Sequence, residues 1–454
     1  MQNETIVALT TPEGEGGLAV VRLSGPDAVA VARRLTRGSF RTAEIESHKA
    51  VYSILFEPRA GENVENKTDE PIDEVLMLPM LAPHSYTGED TVEFYCHGGL
   101  MASRGVIAAC RAAGAAPAPA GEFTRRAFLN GKLSLDQAEA VADLIHAESA
   151  SAAKAAIGQL LGGLNEQLAA IEGPLLQLLA GIEGSLEFVV EEEISVPVEE
   201  VRQTLAEAVA RVSGLLAMAP AGRLLRDGVH VVLAGPPNVG KSSLFNALLG
   251  EDRAIVDPEA GTTRDVVSAR IIRQGRVVHF HDTAGLRDDP GRVERMGIER
   301  TWKQVNEADL VLLLTAAGEA PATTVPGCSA PVIPVVTKAD LAAVPENETA
   351  VVTASPVGRG LEQLWVAIDR SIEAYGLQNA VSLGVVLNDR HLHKLEQSCA
   401  GLELLLAEIK DSRPGDEVIG TMLASILSDL GEISGRVFTE NLLESVFRRF
   451  CVGK

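Results

Sequence analysis

The spacing of apolar and polar positions changes character several times along the chain. From Thr5 to about Pro119, short apolar runs (IVAL, LAVVRLSG, VLMLPML, TVEFYCHGG) are interleaved with alanine-rich stretches, one after Gly25-Pro26 and one from Leu100 to Ala113. Short apolar runs bounded by turn residues read as strands and the longer stretches as helices, so this block predicts a small α+β domain. Pro117-Ala118-Pro119 breaks it. From Leu135 to about Leu216 apolar residues recur at helical spacing (Val141, Leu144, Ile145; Leu160, Leu161, Leu164, Leu168, Ile171), which predicts long packed helices. The acidic run at 191–193 and Pro197 mark a break between them.

At Arg223 the texture changes again. Apolar strands (VHVVLAG, ADLVLLLT, PVIPVVT, AVVTA) alternate with helical segments, the pattern of a parallel sheet with helices on both faces. The last of these helices carries the stripe Leu361, Leu364, Trp365, Ile368 and Ile372, and the block ends near Tyr375. From Asn388 to Phe450 the amphipathic helical pattern returns. The simplest packing joins both helical blocks into one domain with the sheet domain inserted. The predicted boundaries are 1–119, then 120–217 together with 380–454, with 218–379 between them.

At 454 residues the chain exceeds one hydrophobic core, and about three domains follow from ordinary domain size. No apolar run reaches the roughly 18 residues that span a bilayer, and the opening MQNETIVALTTPEGEGG lacks the basic and apolar regions of a signal peptide. Five cysteines, widely spaced and never in a C-x-x-C pair, argue against a disulfide frame and a zinc site. A cytoplasmic protein in a reducing compartment is the expectation. The formal charge of −22 makes the average surface repel phosphate backbones. Against it stand three basic islands at 124–132, 221–228 and 446–454, each readable as solvated surface or as a phosphate contact.

The strand VHVVLA runs into Gly235–Ser242, which reads G-P-P-N-V-G-K-S, followed by helical SLFNALLG. This is the phosphate-binding loop in its own context: backbone N–H groups turn inward around a phosphate at a helix N-terminus. Asn238, Val239, Gly240, Lys241, Ser242 and Ser243 are the candidate nucleotide contacts; Lys241 reaches β/γ oxygens and Ser242 ligates Mg²⁺. About twenty residues on, Gly261–Asp265 supplies Thr262 and Thr263, the latter placed to complete the magnesium shell. A hairpin turning at Gln274-Gly275 then leads to Asp282, Thr283, Ala284 and Gly285, the DTAG box. Thr337, Lys338 and Asp340 form a T-K-A-D box after the strand PVIPVV. An aspartate there accepts from both N1–H and the exocyclic amine of guanine, which selects GTP and GDP over adenine nucleotides. The usual first residue of this box is Asn, so Thr337 predicts a weaker tie between base and phosphate loops. Thr353, Ala354 and Ser355 are candidates for the base-edge loop.

Together these boxes predict a Ras-like P-loop GTPase domain. Leu286 follows the DTAG box where many GTPases carry the glutamine that orients water. Catalysis must then use other groups. Arg264 and Arg287 read as arginine fingers or as ion-pair partners, Asn238 as a ligand for a charge-neutralising monovalent cation, and Glu294 as a water holder or a solvated helix charge.

The segments TIVALTTPEGEGGLAVVRLSG, SYTGEDTVEFYCHGG, GEFTRRAFLNGKLSLDQAEA, GPPNVGKSSLFNALLG, AGTTRDVV, DTAGLRDDPGRVERMGIER and the terminal FCVGK resemble the MnmE (TrmE) family of bacterial tRNA-modification GTPases. The resemblance implies an N-terminal folate-binding domain, a discontinuous helical domain and an inserted G domain. It also implies a homodimer formed through the N-terminal domains, and a complex with the FAD protein MnmG that modifies position 5 of the wobble uridine of certain tRNAs. It makes Asn238, with Asp257, Glu259 and Thr262 of the following loop, potassium ligands, and Glu294 the water-positioning residue. For a 5-formyl-tetrahydrofolate-like donor it points to Arg22, Glu93, Lys132 and Lys454. A carboxylate suits the pterin's adjacent N–H donors, and cations suit the glutamate tail. Cys451 is carried near that site and linked to the modification; by itself the same thiol reads as a small apolar residue. GEGG at 14–17 lacks dinucleotide-loop spacing, and His97 has no second metal ligand at useful spacing. The competing reading, an Era-like ribosome-assembly GTPase, would need a basic RNA-binding appendage that the acidic composition does not supply.

Overall fold

The computed structural model describes residues 4–37, 44–58, 70–187, 196–251, 267–282, 305, 307–320, 323–325, 327–343, 350–411 and 414–454. Packing divides the chain into two compact units, one of residues 1–142 with 431–454 and one of 143–430.

The first unit is built on a six-stranded sheet in the order β3-β4-β5-β2-β1-β6, with β1 Ile6–Leu9, β2 Leu18–Ser24, β3 Val51–Phe56, β4 Pro71–Met80, β5 Thr91–His97 and β6 Ala116–Pro117. Only the β1–β6 pair is parallel. The strands alternate, so one face carries Val21, Leu23, Val75, Met77, Phe94 and Cys96 into a core covered by helices Ala28–Leu35 and Leu100–Ala112. The same alternation puts Arg22 and Glu93 directly opposite each other on the other face. The prolines at 117 and 119 do more than break the chain, since Ala116 and Pro117 extend the sheet at its edge, where a missing N–H is tolerated. At the start of helix Leu135–His146, Gln137 Oε1 accepts from Ser134 N at 2.9 Å, one half of a capping box. With Glu440–Phe447 it buries Phe128, Leu135, Leu443, Phe447 and Phe450 in a second cluster.

The second unit holds the sheet β12-β11-β10-β7-β9-β8, with β7 Val229–Ala234, β8 Val267–Arg273, β9 Arg276–Asp282, β10 Leu310–Ala316, β11 Val332–Thr337 and β12 Val351–Val352. Every pair is parallel except the β8–β9 hairpin. This is the doubly wound α/β arrangement expected. The chain leaves β7 for β8 and β9 on one side, then crosses to β10 on the other, which puts the loop after β7 at the switch point where such sheets bind ligands. The predicted stripe Leu361, Leu364, Trp365, Ile368 and Ile372 is the buried face of helix Leu361–Glu373. Gln274 and Gly275, at φ 50° and 74°, make the two-residue hairpin turn. Helices Ala150–Leu160, Ala219–Asp227 and Leu377–Leu383 add Ala155, Leu224, Leu225, Leu377 and Ala380 to the core of this sheet, while Val198–Leu216 packs against Gly163–Glu187 and Asp389–Asp411.

Val198–Asp227, two adjoining helices, reaches a mean hydropathy of 1.2 over an 18-residue window, enough by length and composition to cross a membrane. Val201, Leu205, Ala208, Val212 and Leu215 form a buried stripe on the first of them, and 39% of the window is buried in all.

Candidate functional site

The phosphate loop is shaped by backbone that only some residues adopt. Gly235 sits at φ 152° and Gly240 at φ 104°, and Asn238 between them takes the left-handed region at φ 59°. A Cβ on Gly235 would lie 2.6 Å from the Leu314 carbonyl oxygen of the neighbouring strand, so the loop requires glycine for space as well as for conformation. Helix Lys241–Glu251 starts directly behind the loop, with Lys241 and Ser242 in its first turn. Lys241 is buried and its ammonium donates back over the loop, to the carbonyls of Gly235 at 2.7 Å and Pro236 at 2.9 Å.

The base box stands beside it. β10 pairs with both β7 and β11, so the carboxyl ends of β7 and β11 face the same edge of the sheet. Thr337 does make a tie to this loop. Its buried hydroxyl donates to the carbonyl of Val239, and it also lies 3.3 Å from the Thr315 carbonyl. Gly240 lies beside it: a Cβ there would meet the Thr337 Oγ1 at 3.6 Å, ordinary van der Waals contact, so glycine suits this position by its φ of 104° and not by space. Lys338, at φ 56°, crosses to the carbonyl of Asn238 at 2.5 Å, a second strap. The base-edge loop is pinned through Thr353, whose N–H donates to Val336 at 2.7 Å while its carbonyl accepts from Ala339. Ala354 and Arg359 exchange two backbone bonds around Ser355.

On the other side, register pairs Leu233 with Asp282, so β9 delivers the start of the DTAG box to the same edge. Asp257, Glu259, Thr262, Thr263, Thr283, Ala284, Gly285 and Glu294 lie outside the described residues, as do Arg264, Leu286 and Arg287.

In the first unit, Arg22 Nε and Nη2 both lie 2.8 Å from Glu93 Oε1, and the Tyr95 hydroxyl donates to Oε2 at 2.8 Å. The guanidinium is framed by the rings of Tyr86 at 5.2 Å and Phe123 at 5.4 Å. The terminal segment joins them: Phe123 N–H donates to the Lys454 carbonyl, and a Cβ on Gly453 would lie 2.0 Å from the Leu9 oxygen. Burial lowers the Lys454 amine below its usual range and the Arg22 charge lowers it further, while Glu93 and Cys451 act the other way. Arg22, Glu93 and Lys454 are therefore electrostatic neighbours. Lys132 donates to the Pro83 carbonyl at 3.1 Å, and the Cys451 thiol is exposed.

Two features escaped the sequence reading. Tyr95 lies two residues beyond Glu93 on one strand, so period-2 alternation places it on the same face and could have flagged it. The island at 124–132 looked like surface charge or a phosphate contact, yet Arg126 is buried and paired with Glu89 at 2.9 Å and Glu122 at 3.2 Å, while Arg125 pairs with Glu440. Its two arginines hold the unit together.

A family model described as the MnmE helical domain matches residues 135–451, and one described as the GTP-binding protein TrmE N-terminus matches residues 5–132. Proteins named tRNA modification GTPase MnmE from Cyanothece sp. and Symbiobacterium thermophilum are each 40% identical, the first over 99% of both chains and the second over the whole of both. The one from Dichelobacter nodosus is 38% identical, over all of this chain and 99% of its own. With both ends of the sequence and the phosphate loop accounted for in one alignment, the chain belongs to the tRNA modification GTPase MnmE family.

Proposed function

We propose that the chain hydrolyses GTP, with Mg²⁺ and K⁺ as companions, and that this drives modification of position 5 of the wobble uridine of certain tRNAs. The single observation that carries the reading is the pair of straps from Thr337 and Lys338 to the phosphate loop, which ties base recognition and phosphate binding into one rigid edge.

Each residue then has a task. Backbone N–H groups of Val239 to Ser243 and the Lys241 ammonium hold the β- and γ-phosphates, since the ammonium already lies over the loop. Asp340 accepts from guanine, and Thr353, Ala354 and Ser355 border the base. A Mg²⁺ ion, held by Ser242 and Thr263, supplies neutralisation of phosphate charge; a K⁺ ion, held by Asn238 with Asp257, Glu259 and Thr262, supplies the positive charge an arginine finger gives elsewhere. The left-handed backbone at Asn238 and its exposed side chain suit that role. Glu294 orients the attacking water, with Asp282, Thr283, Ala284 and Gly285 bordering the γ-phosphate.

A second site supports the modification half. Arg22, Glu93 and Lys454, with Lys132, bind a tetrahydrofolate one-carbon donor such as 5-formyl-tetrahydrofolate, and Cys451 stands beside it with its thiol open to solvent. The chain works in the cytoplasm as a homodimer with an MnmG-like FAD protein, and meets tRNA through that complex. The folate-binding block is assigned to 1–119, the helical arms to 120–217 and 380–454, and the G domain to 218–379.

GTP turnover measured in KCl and in NaCl tests the first half: an increase of about tenfold or more in potassium is expected, the scale on which one electrostatic contact acts. Equal rates would remove the potassium role. Mass spectrometry of wobble uridines from a strain lacking the gene tests the second, and unmodified position 5 is expected.

A further inference from the structure

The β8–β9 hairpin occupies an unusual place in the chain. It begins a few residues after Thr262 and Thr263 and finishes on Asp282, so the segment proposed above to hold the metal ions and the one proposed to border the γ-phosphate are its direct continuations in sequence. Its far end points away from the nucleotide edge and is fastened to a helix. The Gly275 carbonyl at the turn accepts from Ser151 N at 3.1 Å, and a Cβ on Gly275 would lie 3.5 Å from the Ala150 Cβ. Those are the first residues of helix Ala150–Leu160, whose opening N–H groups have no partner within the helix. The Ser149 hydroxyl takes the Ala152 N–H and the hairpin turn takes the Ser151 N–H.

A second clasp lies along the strand. Arg270 Nη1 donates to Glu148 Oε1 at 3.0 Å, just before the same helix begins. The other flank of the turn is held by the α/β domain itself. Gln274 donates to Asp369 at 3.1 Å, and the Arg273 guanidinium lies 4.5 Å from the centre of the Trp365 ring. The helix at the tip does not end in solvent. A Cβ on Gly158 would lie 2.6 Å from the Gly384 Cα, and Gln159 Oε1 accepts from Val386 N–H at 3.0 Å, so its far end is locked to the segment leading into helix Asp389–Asp411. Backbone-to-backbone contact of this kind transmits displacement with little slack.

We propose that the hairpin tip, through Gly275 with Ser151 and Arg270 with Glu148, is the joint by which the nucleotide state is passed to the helical part of the second unit. The proposal rests on the reading of 235–285 as a nucleotide-hydrolysing site. A change in the flanking segments pulls on β8 and β9, the tip pulls on the start of helix Ala150–Leu160, and the glycine contact at 158 and 384 carries the movement onward. The joint acts on coupling and touches no reacting atom.

Hydrogen exchange of the full chain, loaded with GDP or with a non-hydrolysable GTP analogue in the presence of Mg²⁺ and K⁺, tests it. Amides of 150–160 are expected to exchange at rates differing on the order of threefold between the two states, together with those of β8 and β9. Arg270→Glu and Glu148→Arg should each abolish the difference in the helix, and the double charge reversal should restore it, while GTP turnover stays within about twofold throughout. Ser151→Pro supplies a second route, deleting the donor at a helical first turn where proline is accepted. Should β8 and β9 respond to nucleotide while 150–160 does not, or should the single reversals keep the difference, the joint is refuted. A chain that binds neither nucleotide refutes the hydrolysis reading beneath it.

Discussion

The hydroxyl of Thr337 donates to the carbonyl of Val239, 98 residues earlier in the chain, and so joins the box proposed to read guanine to the loop proposed to hold phosphate. Both groups are buried, and a buried acceptor that loses its donor costs about 1–3 kcal/mol.

Thr337→Val keeps the shape and removes that donor. Guanine nucleotide affinity, read by titration of a fluorescent GDP, should fall roughly tenfold, since about 1.4 kcal/mol is a factor of ten. Thr337→Asn, which brings a longer donor, should stay within a few-fold of the parent. A valine variant with unaltered affinity would show that Lys338 suffices.

Gly453→Ala places a methyl group 2.0 Å from the Leu9 oxygen, at a backbone φ of 99° that alanine resists. The terminal segment should leave its seat, carrying Lys454 away from Arg22 and Glu93. Tetrahydrofolate binding by calorimetry should be lost or weakened more than tenfold, with GTP turnover retained. Undiminished folate binding would place the donor elsewhere.

Trp365 is fully buried, edge-on to Phe280 at 5.6 Å and covered by Arg273. Trp365→Ala should cost about 3–5 kcal/mol, read as a lower urea midpoint of the second unit. A shift below about 1 kcal/mol would mean that the neighbours collapse into the space.

His230, His279 and His281 stack across β7 and β9, with His230 Nδ1 and His281 Nε2 3.0 Å apart. Burial, then the two neighbouring imidazoles, push His281 from 6.5 down to about 4, and burial lowers His279 as well. Between those values the unfolded chain takes up protons that the folded chain refuses, so stability is full above pH 6.5 and declines as pH falls toward 4. His281→Gln should flatten this acid limb in thermal melts from pH 7 to 4. An identical slope would assign the limb to carboxylates.

What the sequence made legible was local. The glycine loop at 235–242 between strand and helix, the turn at 274–275 and the stripe on 361–372 each depend on neighbours within a few residues, and each stands where periodicity or a motif puts it. Long-range partners were hidden. Arg126 reads as a surface charge until Glu89 is seen beside it, and β6 is two residues with a proline that pairing alone identifies as a strand. The Thr337 hydroxyl meets Val239 across 98 residues of sequence, a contact no spacing encodes. The grouping of 431–454 with 1–142 was likewise beyond periodicity, because helix Glu440–Phe447 would have been amphipathic against any partner.

That last grouping bears on the order in which the protein takes shape on the ribosome. Residues 143–430 emerge before 431–454 and can reach their own fold first. The opening block must meanwhile wait with Phe128 and Leu135 lacking Phe447 and Phe450. A nascent chain stalled short of residue 431 would thus hold Phe128 and Leu135 without Phe447 and Phe450 to cover them.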